Sequence, residues 1–426
     1  MVKNALAVLM ERNCIEWCSN PEELASLFSS EMVTGYIGFD PTADSLHVGH
    51  LIPIMGLAWM QRLGHRPIAI AGGGTGLIGD PSGKSKERNL LTLEQVEQNM
   101  VTVKKQLEHF LDFDCGANSA LIINNYDWLG KLGLIEFLRD TGKHFTVNYM
   151  IGREYVRSRL EDPEKSISFT EFSYMLLQAY DFYHLYKEYG CRLQMGGNDQ
   201  QGNIIAGIDL IRKRTGGQAY GITYPLLLTA TGQKFGKTEG GAVWLSPEKT
   251  SPYKFYQFWI NTDDRDVEKL LRLFTFMPLD EIKGIMEEHE RSPEKRTAQK
   301  RLAWEVTKVV HGETTAASVK RASEILFGGR FDLSELDKNM LSVLRREVPS
   351  GCFSMDKSSN IVDLLVESGA CKSKGEAKRL IKGGGLVING RKVISEDETI
   401  SENDLLQGKY VFLRLGKKRY HIAESQ

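Results

Sequence analysis

Two hydrophobic rhythms divide the chain. Short apolar runs rich in β-branched and aromatic residues predict buried strands over Val33 to Phe39, Arg66 to Ala71, Ala120 to Asn124, Cys191 to Met195 and Tyr220 to Leu228. Between them apolar residues recur three and four positions apart, the period of a helix. That period predicts helices over 1–32, from His47 to about Gly64, and from Thr92 to Phe110. It continues over 128–160 with a break near Gly142, from Phe169 onward, and up to about Arg214. Ser19-Asn20-Pro21-Glu22 reads as a cap with proline at the first helical position. Strands alternating with helices predict an α/β domain built on a parallel sheet. After Ser251 the strands stop, and helices are predicted over Tyr253–Ile260, Asp266–Phe276, Leu279–Glu290 and Ser292 to Gly312. Residues 327–359 read as a linker with one short helix. From Asn360 the pattern changes again: a cation-bearing helix, the Gly383-Gly384-Gly385 turn, then a strand.

Composition narrows the function classes. A chain of 426 residues has material for two or three domains. With 54 Lys and Arg against 55 Asp and Glu, the net charge is −1, so any RNA contact must use local patches rather than a generally basic coat. The six cysteines (Cys14, Cys18, Cys115, Cys191, Cys352, Cys371) contain no Cys-x-x-Cys pair; they read as reduced thiols of a cytoplasmic protein, with no zinc site indicated. No apolar run approaches the eighteen residues of a membrane span. The N-terminal residues read as an amphipathic, acid-containing helix, unlike a signal or transit peptide.

Candidate chemistry collects after the strand ends. Asp40-Pro41-Thr42 turns the chain away from the first strand, and His47-Val48-Gly49-His50 opens the next helix. A helix N-terminus offers unpaired N–H groups to an anion, and Gly49 lets a flat group approach the backbone. Alone, two histidines three apart are polar decoration, and the zinc-protease pattern needs a Glu absent here. Gly74-Thr75-Gly76-Leu77-Ile78-Gly79 matches a dinucleotide fingerprint, but Asp80-Pro81-Ser82-Gly83 forbids the continuous helix that fingerprint requires. A phosphate-loop reading fails because Ile78 stands where its first glycine belongs. What remains is a glycine loop carrying one acid, Asp80, and two cations, Lys84 and Arg88. Tyr174, Gln178 and Asp181 share one helix face, as either a solvated stripe or the lining of a pocket. Lys234-Phe235-Gly236-Lys237-Thr238, with glycines after it, reads as a mobile basic turn.

His47–His50 and Lys234–Thr238 together resemble the "HIGH" and "KMSKS" elements of class I aminoacyl-tRNA synthetases, and the surrounding words resemble the bacterial tyrosyl type over nearly the whole chain. The resemblance implies a Rossmann-like catalytic domain over 1–228 with a helical dimer region, then a mobile lysine loop and α-helical anticodon-side domain over 229–326. A linker over 327–359 and a small α/β RNA-binding module over 360–426 would follow, the module being similar to one in a ribosomal small-subunit protein and in pseudouridine synthases. It assigns Tyr36, Asp80, Tyr174, Gln178, Asp181 and Gln200 to tyrosine, with Gln194 beside them. Gly38, Asp40, Gly49, Gly197, Asp199 and Lys237 fall to ATP or the adenylate. Thr42, His47, His50, Lys234, Lys237 and Thr238 become the catalytic clamp, with Lys84 and Arg88 as helpers. Where the family has Gly-Gly-Ser-Asp-Gln-Trp-Gly-Asn, this chain has Asn198 for serine and Gln201 for tryptophan.

The implied reaction is a two-step ligation. L-Tyrosine attacks ATP to give tyrosyl adenylate and pyrophosphate, and the tyrosyl group then moves to the 3′-terminal adenosine of tRNA(Tyr). ATP is a substrate accompanied by Mg²⁺, with no tightly bound cofactor. Lys372, Lys374, Lys378, Arg379 and Lys382, with Lys417, Lys418 and Arg419, form a candidate phosphate-facing patch. A homodimer is implied. The rival readings are a tryptophanyl-type enzyme, a small nucleotidyltransferase, and an RNA-binding protein without charging activity; Tyr36 with Asp181 favours a phenol substrate.

Overall fold

A computed structural model of the chain describes residues 4–41, 43–82, 92–162, 166–238, 241–328, 338–355, 360–416 and 419–426. Its first sheet comprises β1 (Trp17–Cys18), β2 (Thr34–Phe39), β3 (Arg66–Ala71), β4 (Leu121–Asn124), β5 (Cys191–Gly197) and β6 (Tyr220–Tyr224). The spatial order is β1-β6-β5-β2-β3-β4. All neighbours run parallel except β1, which lies antiparallel against β6. From β2 the chain winds outward through β3 and β4, then crosses back to lay β5 and β6 on the other side. Strand order therefore reverses between β2 and β5, and ligands of such sheets bind beyond the carboxyl ends at that point. This is the Rossmann-like parallel arrangement expected from the sequence.

Three local differences have physical causes. The last predicted strand stops at Tyr224 because Pro225 has no N–H to give the ladder. The 128–160 stretch breaks into helices Tyr126–Leu129, Leu134–Asp140, Val147–Ile151 and Glu154–Leu160, so Gly142 is only one of several interruptions. The glycines after β3, read as loop, fold as one helical turn, Gly73–Gly76. Asn125 supports that turn, its side-chain oxygen accepting the Gly74 N–H at 2.7 Å.

Two long helices flank the returning strands. Phe169–Tyr189 begins at Ser168, whose hydroxyl accepts the Glu171 N–H in a capping box, and packs on Gln201–Thr215 through Met175, Leu176, Ala179, Ala206 and Leu210. Helix Leu51–Arg62 is buried almost all round, as a continuous apolar run demands. Gly56 is obligatory there, because a Cβ would lie 1.8 Å from the buried Tyr224 hydroxyl.

Following this sheet, β7 (Lys237–Thr238) and β8 (Gly241–Ala242) form a small hairpin. The helices after Ser251 divide between two units. Asp264–Phe274 and Leu279–Arg291 belong with residues 1–250, while Pro252–Ile260 belongs with residues 303–426. In the second unit β9 (Ser350–Phe353), β10 (Leu386–Ile388), β11 (Arg391–Lys392), β12 (Tyr410–Leu415) and β13 (Arg419–Ser425) order as β11-β10-β12-β13-β9. The stretch read as linker thus contributes more than its one helix, Lys338–Glu347: its β9 pairs parallel with β13. Phe353 from that strand joins Ile361, Leu365, Ile381, Val411 and Leu413 in one core.

Gly56→Ala gains helix propensity of about 1 kcal/mol but overpacks a site with no free volume, at about 1–3 kcal/mol or more. A lower melting temperature is expected for the variant; an unchanged or raised one would contradict the close approach to Tyr224.

Candidate active site

The histidine turn is built by its own side chains. His47 caps a three-residue 3₁₀ turn, Val48–His50, and its Nδ1 accepts the Gly49 N–H at 3.0 Å. His50 Nδ1 accepts the His47 N–H at 3.1 Å, closing a reciprocal box, and the α-helix proper begins only at Leu51. The two rings lie 4.0 Å apart. Because each Nδ1 is an acceptor, each proton sits on Nε2, and both rings offer an N–H outward. Removal from water and then the Lys234 charge lower the His47 pKa, while burial and then His47 hold His50 down at about 3. Both rings are therefore neutral donors near pH 7.

The lysine hairpin is stitched to this turn. The Val48 N–H donates to Val243 O at 2.9 Å, and the Leu245 N–H to Leu46 O at 2.8 Å. Trp244 pairs across from His47 and meets its ring edge-on at 5.9 Å. Gly236 sits at φ 82°, and a Cβ there would fall 2.3 Å from Val48. Lys234 and Lys237 are exposed on this hairpin, close enough to act on the His47 charge. Lys249, ion-paired with Asp44, lies over the Trp244 ring at 4.7 Å.

A second group of buried polar side chains gathers around Asp181 and Asp80. Asp181 is fully enclosed, its two oxygens accepting from Asn125 Nδ2 at 2.8 Å and Trp128 Nε1 at 2.7 Å. Burial pushes its pKa up to about 7 against those two donors, with the Asp40 charge adding to the rise. Asp80 accepts the Ser82 N–H at 2.9 Å and Gln200 Nε2 at 2.7 Å, and burial, then Asp40, raise it to about 6. Gln178 Nε2 donates to Gln200 Oε1 at 3.1 Å, and Asn203 Nδ2 donates to Gln178 Oε1 at 3.0 Å. The buried Tyr174 hydroxyl is hydrogen-bonded to Thr75. Tyr36 Oη, Gln194 Oε1 and Asn203 Oδ1 are buried with no hydrogen-bond partner among the described residues. Buried orphans of both kinds beside three acids are the lining expected of a pocket for a ligand that carries a hydroxyl and a cation.

Other candidates fall between or outside these groups. Gly38 follows Tyr36 on the same face of β2, and the space where its Cβ would stand is open. Asp40 ends that strand, close to Gly72 and near enough to act on Asp80, Asp181 and Tyr174. Gly197 ends β5 and Asp199 follows it, and a Cβ on Gly197 would meet the Asp199 carboxylate at 2.5 Å. Gly49 is exposed, and a Cβ there would meet the His47 ring at 2.8 Å. Thr42, Lys84, Arg88, Lys417 and Lys418 lie outside the described residues, and Thr238 is described only through its backbone in β7. Lys374, Lys378, Arg379 and Lys382 are all exposed on the second unit. Two of them hold acids of that unit, Lys374 with Asp363 at 2.7 Å and Lys378 with Glu396 at 3.6 Å.

Residues 29–328 match the family described as tRNA synthetases class I (W and Y), which leaves tryptophan and tyrosine open. Residues 341–423 match the tyrosine–tRNA ligase SYY-like C-terminal domain. A tyrosine–tRNA ligase of Anaeromyxobacter dehalogenans is 50% identical over 425 residues, covering 99% of this chain and 100% of its own. The chain belongs to the tyrosine–tRNA ligase family. Another member, from Geobacillus stearothermophilus, is 50% identical over 418 residues, 98% of each chain. Among solved structures, a C-terminally truncated mitochondrial tyrosyl-tRNA synthetase of Aspergillus nidulans superposes with a TM-score of 0.69 at 34% identity, over 76% of this chain and 94% of that one.

Against the family pattern, Asn198 finds its own partner, its Oδ1 accepting from the Thr223 hydroxyl on β6 at 3.3 Å. Sequence reasoning did not find Asn125, Trp128, Thr75 or Asn203. Asn125 carried one usable signal, since it follows the carboxyl end of β4 in a sheet whose strand ends bind ligands. Trp128 carried none, because its role depends on a helix 53 residues away.

Gly236→Ala forces the hairpin away from the histidine turn, and shifts of that kind cost roughly 10²-fold in rate. Pyrophosphate exchange is expected to slow by about that factor, together with a lower melting temperature from the strained backbone; normal exchange would mean that the hairpin's seat on Val48 is unimportant.

Proposed function

We propose that this chain charges tRNA(Tyr) through the two clusters just described, with tyrosine in the buried pocket and ATP under the histidine turn and lysine hairpin. Tyr36 and Asp181 carry the reading, both buried and close enough that the Asp181 charge acts on the Tyr36 hydroxyl. A phenol hydroxyl can donate to the Asp181 carboxylate, already held by two donors, and accept from the unpartnered Tyr36 hydroxyl. Phenylalanine would leave both unsatisfied in a dry site, and an indole could donate but not accept. Asp80, Tyr174 and Gln178 then receive the ammonium group, with Gln200 and Asn203 fixing the orientation of the Asp80 and Gln178 side chains.

In the first step a tyrosine carboxylate oxygen attacks the α-phosphate, forming the mixed anhydride as the bond to pyrophosphate breaks. Negative charge gathers on the phosphates, and neutral His47 and His50 offer Nε2–H donors while Lys234 and Lys237 supply positive charge. Neutral histidines suit this role, since the lysines already provide the cations. Thr42, Thr238, Lys84 and Arg88 join the clamp in this reading. Mg²⁺ enters as part of the substrate, MgATP, held mainly by phosphate oxygens. Gly38, Asp40, Gly49, Gly197 and Asp199 border the nucleoside. In the second step the 3′-terminal adenosine hydroxyl attacks the tyrosyl carbonyl and AMP leaves.

The homodimer belongs to the same reading. Leu134, Ile135, Val147 and Phe169 are 69%, 74%, 59% and 77% exposed, an apolar surface that a second copy would cover. The exposed cations Lys374, Lys378, Arg379 and Lys382 face tRNA phosphates, with Lys374 and Lys378 exchanging their weak surface acids for phosphate. Cytoplasmic location follows from the role in translation. No helix among the described residues is long and apolar enough to cross a membrane.

Amino-acid-dependent pyrophosphate exchange into ATP, without tRNA, tests the reading: tyrosine alone of the twenty should support it, and exchange with tryptophan or with none would overturn it. Lys234→Ala should slow exchange roughly 10²–10³-fold with little change in tyrosine KM. Arg379→Ala with Lys382→Ala should raise the KM for tRNA in aminoacylation and leave exchange untouched.

The acids set a pH dependence. Asp80 attracts the ammonium and Asp181 binds the phenol hydroxyl most strongly when ionised, and burial pushes their pKa values up to about 6 and about 7. Protonation on lowering the pH removes that negative charge, so kcat/KM for tyrosine should fall through that range. A profile flat from neutrality down to the ordinary carboxylate range would contradict the pocket assignment.

A further inference from the structure

Trp128 is held from two sides by one helix. Its indole Nε1–H donates to Asp181 at 2.7 Å, while its face lies against His184, ring centroids 4.3 Å apart and planes at 15°. Asp181 and His184 are three residues apart in Phe169–Tyr189, so they share a face of that helix. An indole N–H lies in the ring plane, and a flat neighbour stacked on the face sets that plane. Trp128 needs such a neighbour, because its own element, Tyr126–Leu129, is a single helical turn after β4. The other donor to Asp181, Asn125, immediately precedes the same turn, so a shift of that turn moves both donors. His184 is half-buried, burial lowers its pKa with Glu188 opposing, and the ring of Tyr189 lies 6.5 Å away. Among the described residues its ring contacts are Trp128 and Tyr189, neither assigned above to tyrosine, ATP or the clamp.

We propose that His184 is a positioning residue for tyrosine recognition, its imidazole stacking on Trp128 to keep the indole N–H on the Asp181 carboxylate. The inference rests on the phenol-binding role of Asp181 proposed above. Losing a stacked aromatic pair corresponds to about 3- to 10-fold in an equilibrium constant. His184→Ala should raise the KM for tyrosine by that factor in pyrophosphate exchange. It should lower the tyrosine-to-phenylalanine ratio of kcat/KM equally and leave the KM for ATP unmoved. His184→Leu, which keeps bulk without a flat ring, should behave like alanine and serves if the alanine variant does not fold. His184→Phe should restore both readouts.

The proposal is overturned if the alanine and leucine variants keep wild-type tyrosine KM and discrimination, or if phenylalanine is as impaired as alanine. Asp181→Ala separates the two layers of argument. Loss of tyrosine-dependent exchange in that variant, with His184→Ala unaffected, would remove the stacking role alone. Retained exchange in Asp181→Ala would remove the phenol-pocket reading and this inference with it.

Discussion

A carboxylate buried away from water is the constraint around which the catalytic unit is arranged. Enclosing Asp181 carries a desolvation cost of several kcal/mol unless donors replace the lost water. Asn125 and Trp128 are those donors, and each is tied to something else. Asn125 also supports the Gly74 N–H and reaches the Thr75 hydroxyl at 2.9 Å, so the glycine turn after β3 is held by the same side chain that holds the acid. Thr75 in turn bonds Tyr174, which faces the far end of the pocket. One buried charge therefore locks three segments, β4 with its following turn, the glycine turn, and the Phe169–Tyr189 helix.

The pocket remains incompletely satisfied, and that is consistent with its use. Two acids stay above their ordinary pKa range, and three buried polar atoms lack partners. In the proposed reading, tyrosine, with a hydroxyl at one end and an ammonium at the other, meets both deficits at once. Residual frustration of this kind lowers the stability of the empty enzyme and raises the affinity for the ligand that relieves it. The clamp is built differently. There the histidines are satisfied by their own backbone, the lysines are exposed, and the link between them is a short run of backbone hydrogen bonds from Leu46–Val48 to Val243–Leu245. The Asp181 cluster is buried, whereas the lysine hairpin is exposed and joined to the histidine turn along one edge.

The signals that were legible in the chain are those carried by neighbours in sequence. Strand periods and the cap at Asn20-Pro21 act over a few residues, and the periods located every main strand of the first sheet except its two-residue edge, Trp17–Cys18. That edge is too short to show a period, and it forms only because β6 presents free backbone groups to it. β9 was hidden for the same reason, lying in a stretch that resembles a linker until β13 pairs with it. The glycines after β3 have poor helix propensity, and Asn125 overrides it from across the sheet.

By itself the sequence determined the parallel α/β plan, the histidine and lysine motifs, and the face shared by Tyr174, Gln178 and Asp181, because residue identity and short spacing suffice for each. Tertiary structure alone decided that Asn125 and Trp128 would hold Asp181, that the lysine hairpin would be stitched to the histidine turn, and that His184 would cover the indole. Those pairings join residues far apart in the chain. They exist only once the sheet and its flanking helices bring distant segments side by side.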